Sequence, residues 1–493
     1  MTDNTLMEHV RTLMEHVRGL HDPLVEGGVL DQSHANRLHE DLQRFFKRLA
    51  DPKESAEEYW AEFQKEFGFA YADPKLIPMN AANLCPEPLA LLEWANALRL
   101  AYNTNVAQQI RMAHGLRVEQ ITRARRLLAS SLGLPENTSD LVMVRNASEG
   151  NNAINCGYRN WAKTDNVVLW EYNHPTNLDA WNMRSQWNGK EQPLFQIKIV
   201  TLGDVEKPDP KDAATEIAKR FIGQIDASTR FVSFSEISNV TGIRIPDAAI
   251  DAIWQHVKEQ KDCHLHIDAT MAWGARDVSR LIGRCHSFVS SAHKWFLGPK
   301  ETGILYMSQE KAKNFEPSIF AYNYEIFFND LDHTKRNGAL RFEQLGQRDD
   351  VQLITLAKTE LMWEAIKRSG RKPYERVREL ADRLKDRLGK ATPPWEFVTP
   401  KSSELSWGVV FVRAPWLPAD KQDSSPSLPT TSLYDWIYEK KRIAGSMHND
   451  ADASDPDKTL KETFRLCPHI YNTIEDVDNA VKSMNEWRDT KGA

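Results

Sequence analysis

The sequence predicts an α/β fold, with a large domain built on a mostly parallel central sheet and a smaller α+β C-terminal domain. Two observations carry this. Between about Leu76 and Asp350 helical stretches alternate with short strands, whereas the C-terminal part mixes strands and helices without that alternation. The chain opens on an exact heptad repeat, Thr5 to Arg11 followed by Thr12 to Arg18, which sets Leu6, Val10, Leu13, Val17 and Leu20 on one face of an amphipathic helix. Two heptads are too few for a coiled coil. From about Ser33 to Phe69 the pattern stays helical until Ala72-Asp73-Pro74 breaks it, so residues 1–75 read as a helical extension packing on the small domain. Within the large domain, residues 76–350, strands are expected at Asn166 to Glu171, Phe231 to Glu236, Cys263 to Asp268, Ser287 to Ser291 and Gly303 to Met307. The small domain, residues 351–493, starts with a long helical segment from Val351 to about Lys390. Its Pro- and Ser-rich stretch Leu417 to Ser432 and its acidic stretch Asp450 to Asp457 read as surface loops.

Composition narrows the function class. With 493 residues, 41% apolar and 27% charged, the chain can bury a large core. A net charge of −6 gives no basis for nucleic-acid binding. The five cysteines, Cys85, Cys156, Cys263, Cys285 and Cys467, form no CxxC pair, so neither a zinc site nor a disulfide framework is expected. His9 and His16 lie one heptad apart with no third ligand, and no metal site is expected there. No apolar run is long enough to span a bilayer and the N-terminus lacks a basic-then-apolar signal pattern, so the expected location is cytoplasmic.

The most informative segment is Ser290-Ser291-Ala292-His293-Lys294-Trp295, where an apolar run ends in an amine. Upstream, His264-Leu265-His266-Ile267 reads as a strand delivering Asp268 to its C-terminal end, the edge at which such sheets bind ligands. A lysine that holds a cofactor as a Schiff base and a carboxylate that keeps a pyridine nitrogen protonated together suggest pyridoxal phosphate. Either residue alone reads more readily as a solvated loop lysine or a helix cap, and it is the remaining motifs that turn the reading. A phosphate cradle is offered by Arg145-Asn146-Ala147-Ser148-Glu149-Gly150: Asn146 can cap the following helix, leaving the amides of Ala147 and Ser148 and the Ser148 hydroxyl facing an anion.

In this order the motifs resemble the class V aminotransferase family of fold-type I pyridoxal phosphate enzymes, which includes cysteine desulfurases and isopenicillin N epimerase. The resemblance covers about Leu76 to the C-terminus. It implies that Lys294 is the Schiff-base lysine and Asp268 the partner of the pyridine nitrogen. It further implies that Ala147, Ser148, Ser291 and His293 bind phosphate and that Asn239 reaches the cofactor's phenolic oxygen or the substrate. Arg465, in Phe464-Arg465-Leu466-Cys467-Pro468, matches the arginine that clamps a substrate carboxylate, a task its planar fork suits. His174 resembles the residue stacked over the pyridine face, although anchoring on Asn177 and Trp181 places Pro175 there instead. Active sites of the family lie at a dimer interface, so a homodimer is implied, with Gln347 reaching the neighbouring subunit's phosphate.

Departures from the family pattern bear on the reaction. Met271 stands where relatives carry Gln or His, Gln347 replaces a threonine, and Glu301 replaces a frequent glycine. Arg442 to Asn449, which corresponds to the mobile loop bearing the persulfide cysteine of desulfurases, has no cysteine. A persulfide-relaying desulfurase is therefore disfavoured. What the resemblance implies is chemistry at the α-carbon of an amino acid bound as an external aldimine, leaning to C–S β-elimination in specialised or sulfur metabolism. Epimerisation, decarboxylation-coupled oxidative deamination or cyclisation, and transamination stay open. So does a non-catalytic binding protein that keeps the fold, although such a protein would need neither a ring-protonating carboxylate nor a carboxylate clamp.

Overall fold

The computed structural model describes residues 31–52, 55–104, 116–135, 138–186, 193–203, 212–260, 262–319, 338–343, 345–413, 432–449 and 462–491. The N-terminal heptad repeat and both expected loops, apart from Ser432, lie outside them. Helices α1 (Gln32–Ala50), α2 (Ala56–Gln64), α3 (Leu89–Thr104) and α4 (Leu116–Ser131) precede the central sheet, and β1 (Ile77–Pro78) lies between α2 and α3. The sheet contains β2 (Leu141–Val144), β3 (Asn166–Trp170), β4 (Gln196–Val200), β5 (Thr229–Ser235), β6 (His264–Asp268), β7 (Ser287–Ser291) and β8 (Gly303–Met307). Its order is β2-β8-β7-β6-β5-β3-β4, parallel from β7 through β4, with β8 antiparallel to both β7 and β2. The sheet is thus mixed but mostly parallel, as expected.

Strands β2, β3 and β8 are mainly apolar runs, as strands covered on both faces allow, whereas β5, β6 and β7 interleave buried polar residues with apolar ones. In β3, Val168 and Trp170 join one core while Val167 and Leu169 join the other, as the two-residue side-chain period requires. Helices α5 (Ala147–Asn155) and α6 (Pro175–Gln186) lie on the second face; α7 (Ala213–Ile222) and α8 (Asp247–Lys258) line the first.

The expected long helix after Val351 is two helices, α9 (Asp350–Arg368) and α10 (Pro373–Gly389). Gly370 adopts φ 81° just past the end of α9, and Pro373 opens α10 at a position where its missing N–H costs nothing. A four-stranded antiparallel sheet follows, in the order β12-β13-β10-β9, from β9 (Glu396–Phe397), β10 (Val410–Arg413), β12 (Ser446–Asn449) and β13 (Glu462–Leu466). Helices α11 (Leu433–Lys441) and α12 (Ile474–Lys491) pack beside it, sharing a core with α10. β1 pairs in parallel with β11 (Ile443–Ala444), and Asn80 bridges to Cys467, so the first strand of the expected large domain is tied to the C-terminal segment. No helix among the described residues is long and apolar enough to cross a membrane.

Candidate active site

Strand β6 ends at Asp268, and β7 runs directly into the turn carrying His293 and Lys294, so both groups sit beyond the carboxyl ends of adjacent parallel strands. The N-terminus of α5 closes the same edge. Together they line a cleft of about 180 Å³ that brings in Ala147, Ser148, His174, Asn239, Asp268, Ser291, His293 and Lys294. Eight of the expected site residues thus meet in one place. A larger hollow of about 520 Å³ among α1, α2 and α3 holds none of them.

Asn146 caps α5 as expected, its side chain accepting from the Glu149 amide at 3.0 Å. One expectation changes: the Ala147 amide donates to Ser291 Oγ at 2.8 Å and does not stand free for an anion. Two of the expected phosphate positions are therefore already in contact. Asp268 receives the Asn151 side-chain amide at Oδ2 and the Thr270 backbone N–H at Oδ1, each at 3.0 Å. Burial pushes the Lys294 amine down to about 8; the Asp268 carboxylate opposes this and the Arg465 guanidinium adds to it.

His174 lies in the cleft, and Pro175 beside it begins α6. The Thr176 backbone N–H donates to His174 Nδ1 at 3.1 Å, which assigns the ring proton of the neutral imidazole to Nε2. Burial and the nearby Lys294 lower its pKa, favouring that neutral form. Arg465 is 3% exposed. Its Nη1 donates to the Asn239 carbonyl at 3.0 Å and its Nη2 to Ser446 Oγ at 3.2 Å and Asn80 Oδ1 at 3.4 Å, which leaves the buried Nε unpartnered. Gln347 stands apart: it is exposed, its amide donates to the Arg348 carbonyl, and it does not line this cleft.

Met271 lines the cleft as an apolar group, without the hydrogen bond a Gln or His would offer there. Glu301 holds φ 57°, the left-handed conformation that explains why glycine suits this position. Arg442 to Asn449 is not a loop here, since it forms β11 and β12. Asn80, Asn151, Thr176, Thr270 and Ser446 belong to the site and were not expected from the sequence. Asn151 had one signal, four residues after Ala147 on the same helical face.

The residues present fit pyridoxal phosphate. Asn239 Oδ1 and His293 Nδ1 are buried polar atoms without partners on residues that line the cleft, a pattern that calls for a polar ligand. Among the described residues no cluster of His, Cys, Asp or Glu could hold a metal ion.

A model of the family described as aminotransferase class-V matches residues 83–344. Isopenicillin N epimerase of Streptomyces clavuligerus is 22% identical over 437 residues, covering 86% of this chain and 98% of the relative. A probable cysteine desulfurase of Pyrococcus abyssi is 23% identical over 412 residues, 83% of this chain and 92% of the relative. Among solved structures, a C-DES variant with glycine covalently linked to its PLP cofactor aligns with TM-score 0.66 at 17% identity, over 86% of this chain and 99% of that one. A cysteine desulfurase from Escherichia coli aligns with TM-score 0.64 at 19% identity, over 88% and 99%. These likenesses establish the fold-type I architecture.

Proposed function

The chain belongs to the aminotransferase class-V family, whose members use pyridoxal phosphate, and on that premise we propose that it is an enzyme acting at the α-carbon of an amino acid, by C–S β-elimination. The observation that carries the reading is that Lys294 and Asp268 line one cleft, an amine beside a carboxylate, with the Arg465 guanidinium near enough to help lower the Lys294 pKa. When bound, the cofactor supplies an electron sink for the carbanion formed at the substrate's α-carbon. Lys294 would hold it, Asp268 would face its ring nitrogen, and Ala147, Ser148, Ser291 and His293 would surround its phosphate.

The protein's own groups then divide the work. The Arg465 guanidinium, fixed by the Asn239 carbonyl, Ser446 and Asn80, binds and orients the substrate carboxylate. Lys294, freed when the substrate's amine displaces it, would remove the α-proton as general base, since a pKa lowered to about 8 raises its neutral fraction near neutrality above that of an ordinary lysine. His174, with its proton on Nε2, would stand beside the cofactor ring and could pass a proton to a departing group. In a homodimer the exposed Gln347 would reach the phosphate held by a neighbouring subunit.

C–S cleavage is supported by the fold shared with a cystine C–S lyase solved with its product cysteine persulfide, TM-score 0.63 over 83% of this chain and 97% of that one. Persulfide relay through a protein cysteine is disfavoured in this reading. Cys85, Cys263, Cys285 and Cys467 are buried and Cys156 is half-buried, and burial raises the pKa of each thiol, whereas a relay cysteine needs exposure and thiolate character. One observation favours a second reading: the epimerase relative aligns over almost its whole length, so α-proton return to the opposite face stands as the alternative. Adding a panel of L-amino acids and cysteine S-conjugates to the purified holoprotein while recording its visible spectrum tests the proposal. Release of a thiol and a keto acid supports elimination, a D-isomer supports the alternative, and no spectral response to any amino acid sinks both.

A further inference from the structure

Strand β6 is buried on both faces, yet only one of them is apolar: Leu265 and Ile267 join the core, while His264, His266 and Asp268, at alternate positions, face α5. Three titratable side chains on a dry strand face require partners, and they find them in a single chain of hydrogen bonds. His264 Nε2 meets Ser287 Oγ at 2.7 Å, Ser287 Oγ meets His266 Nδ1 at 2.8 Å, and His266 Nε2 meets Asn151 Oδ1 at 2.9 Å. The Asn151 amide nitrogen then donates to Asp268 Oδ2.

The direction of every proton in this chain follows from its last link. An ionised carboxylate only accepts, so the Asn151 NH₂ must face Asp268 and the Asn151 oxygen must face His266. His266 Nε2 therefore carries a proton and its Nδ1 is bare. The Ser287 hydroxyl donates to that bare nitrogen and accepts from His264 Nε2–H. The chain ends at His264 Nδ1, a buried atom without a partner. Burial lowers the pKa of His266 to about 4, so the neutral ring that this pattern needs is the one present near neutrality. A carboxamide can rotate end for end at little steric cost, and the Nε2–H of His266 opposes the other orientation from one end as the Asp268 carboxylate does from the other.

We propose that His266 is a positioning residue for Asp268, holding the Asn151 amide with its N–H end on the carboxylate and so fixing that carboxylate for the cofactor's ring nitrogen. The inference rests on the pyridoxal phosphate reading. Asn151 shares α5 with Ala147 and Ser148, so one rigid helix spaces the phosphate cradle from the ring-nitrogen partner. Gly150 permits the close approach this needs, since a Cβ there would lie 2.2 Å from Val289 Cγ2.

The test is the nitrogen NMR signal of pyridoxal phosphate, labelled with ¹⁵N in the ring, bound to the holoprotein. Wild type is expected at the protonated-pyridine position. His266→Phe keeps a ring in place but removes the donor to Asn151, and its signal is expected to move to the neutral position while cofactor stoichiometry and circular dichroism stay unchanged. His266→Gln, whose amide can donate to Asn151, is expected to restore the protonated position. A His266→Phe protein with an unmoved signal overturns the proposal. Should that variant not fold, Ser287→Ala frees Nδ1 to take the proton and is expected to shift the signal part way; an unmoved signal there is equally fatal. Wild type that binds no labelled cofactor would instead overturn the cofactor reading itself, a distinct result.

Discussion

Lys294 and Glu301 lie on one segment and show two ways a single residue carries the cost of a site. Taking the Lys294 amine out of water disfavours its charged form and lowers its pKa from 10.5 to about 8. The neutral nucleophile predominates above that value, so the rate at which apoprotein captures pyridoxal phosphate is expected to rise through a midpoint near pH 8, readable from the growth of the visible chromophore. Capture with a midpoint near an ordinary lysine's value would contradict this. Glu301 holds a left-handed backbone conformation that costs a non-glycine residue about 1–2 kcal/mol. Part of that is offset by the greater freedom glycine has when unfolded, so Glu301→Gly is expected to stabilise the protein by about 0.5–1 kcal/mol in urea unfolding. Lys294 and Asp268 were legible through the motifs around them and their order along the chain, since either residue alone reads as a loop lysine or a helix cap. Asn151, Thr270 and Asn80 were not, because an amide or a hydroxyl in a sequence looks the same whether it caps a turn or orients a carboxylate.

At the scale of elements, α5 is the piece on which the site depends most. It brings its N-terminal turn to the phosphate edge and Asn151 to Asp268, and it can do both only because Gly150 lets it lie directly on β7. Gly150→Ala is expected to push the helix outward, costing about 1–3 kcal/mol as an overpacked contact and weakening cofactor retention, both measurable by urea unfolding with and without pyridoxal phosphate. A variant as stable as wild type in each condition would show that the close approach is not needed. The five expected strands were found to within two residues because each centres on buried apolar residues bounded by polar or turn residues. The break between α9 and α10 was missed although Gly370 and Pro373 mark it, since the helical pattern on either side runs on in phase across a short gap.

At the scale of the whole molecule, the chain's early and late segments are sewn together by contacts that no local pattern announces. Gln64 donates to the Tyr471 carbonyl at 2.9 Å and to Asp476 at 2.6 Å, Arg376 pairs with Glu57 at 2.8 Å, and β1 lies against β11. Gln64→Leu leaves a buried carbonyl without its side-chain donor, and a loss of about 1–3 kcal/mol is expected in urea unfolding. An unchanged midpoint would mean that the N-terminal helices are not energetically joined to the C-terminal segment. The order of units along the chain was legible from alternation and composition, whereas their cross-connections depend on tertiary packing between residues hundreds of positions apart. The same packing brings Arg465 of β13 near enough to Lys294, just past β7, to perturb its amine, and the central claim is that the cleft lined by Lys294 holds pyridoxal phosphate. Borohydride reduction of the purified protein incubated with pyridoxal phosphate, followed by peptide mass mapping, tests it most directly. A pyridoxyl group on Lys294, absent from Lys294→Ala, is the predicted result; a label on another lysine, or none in wild type, would contradict it.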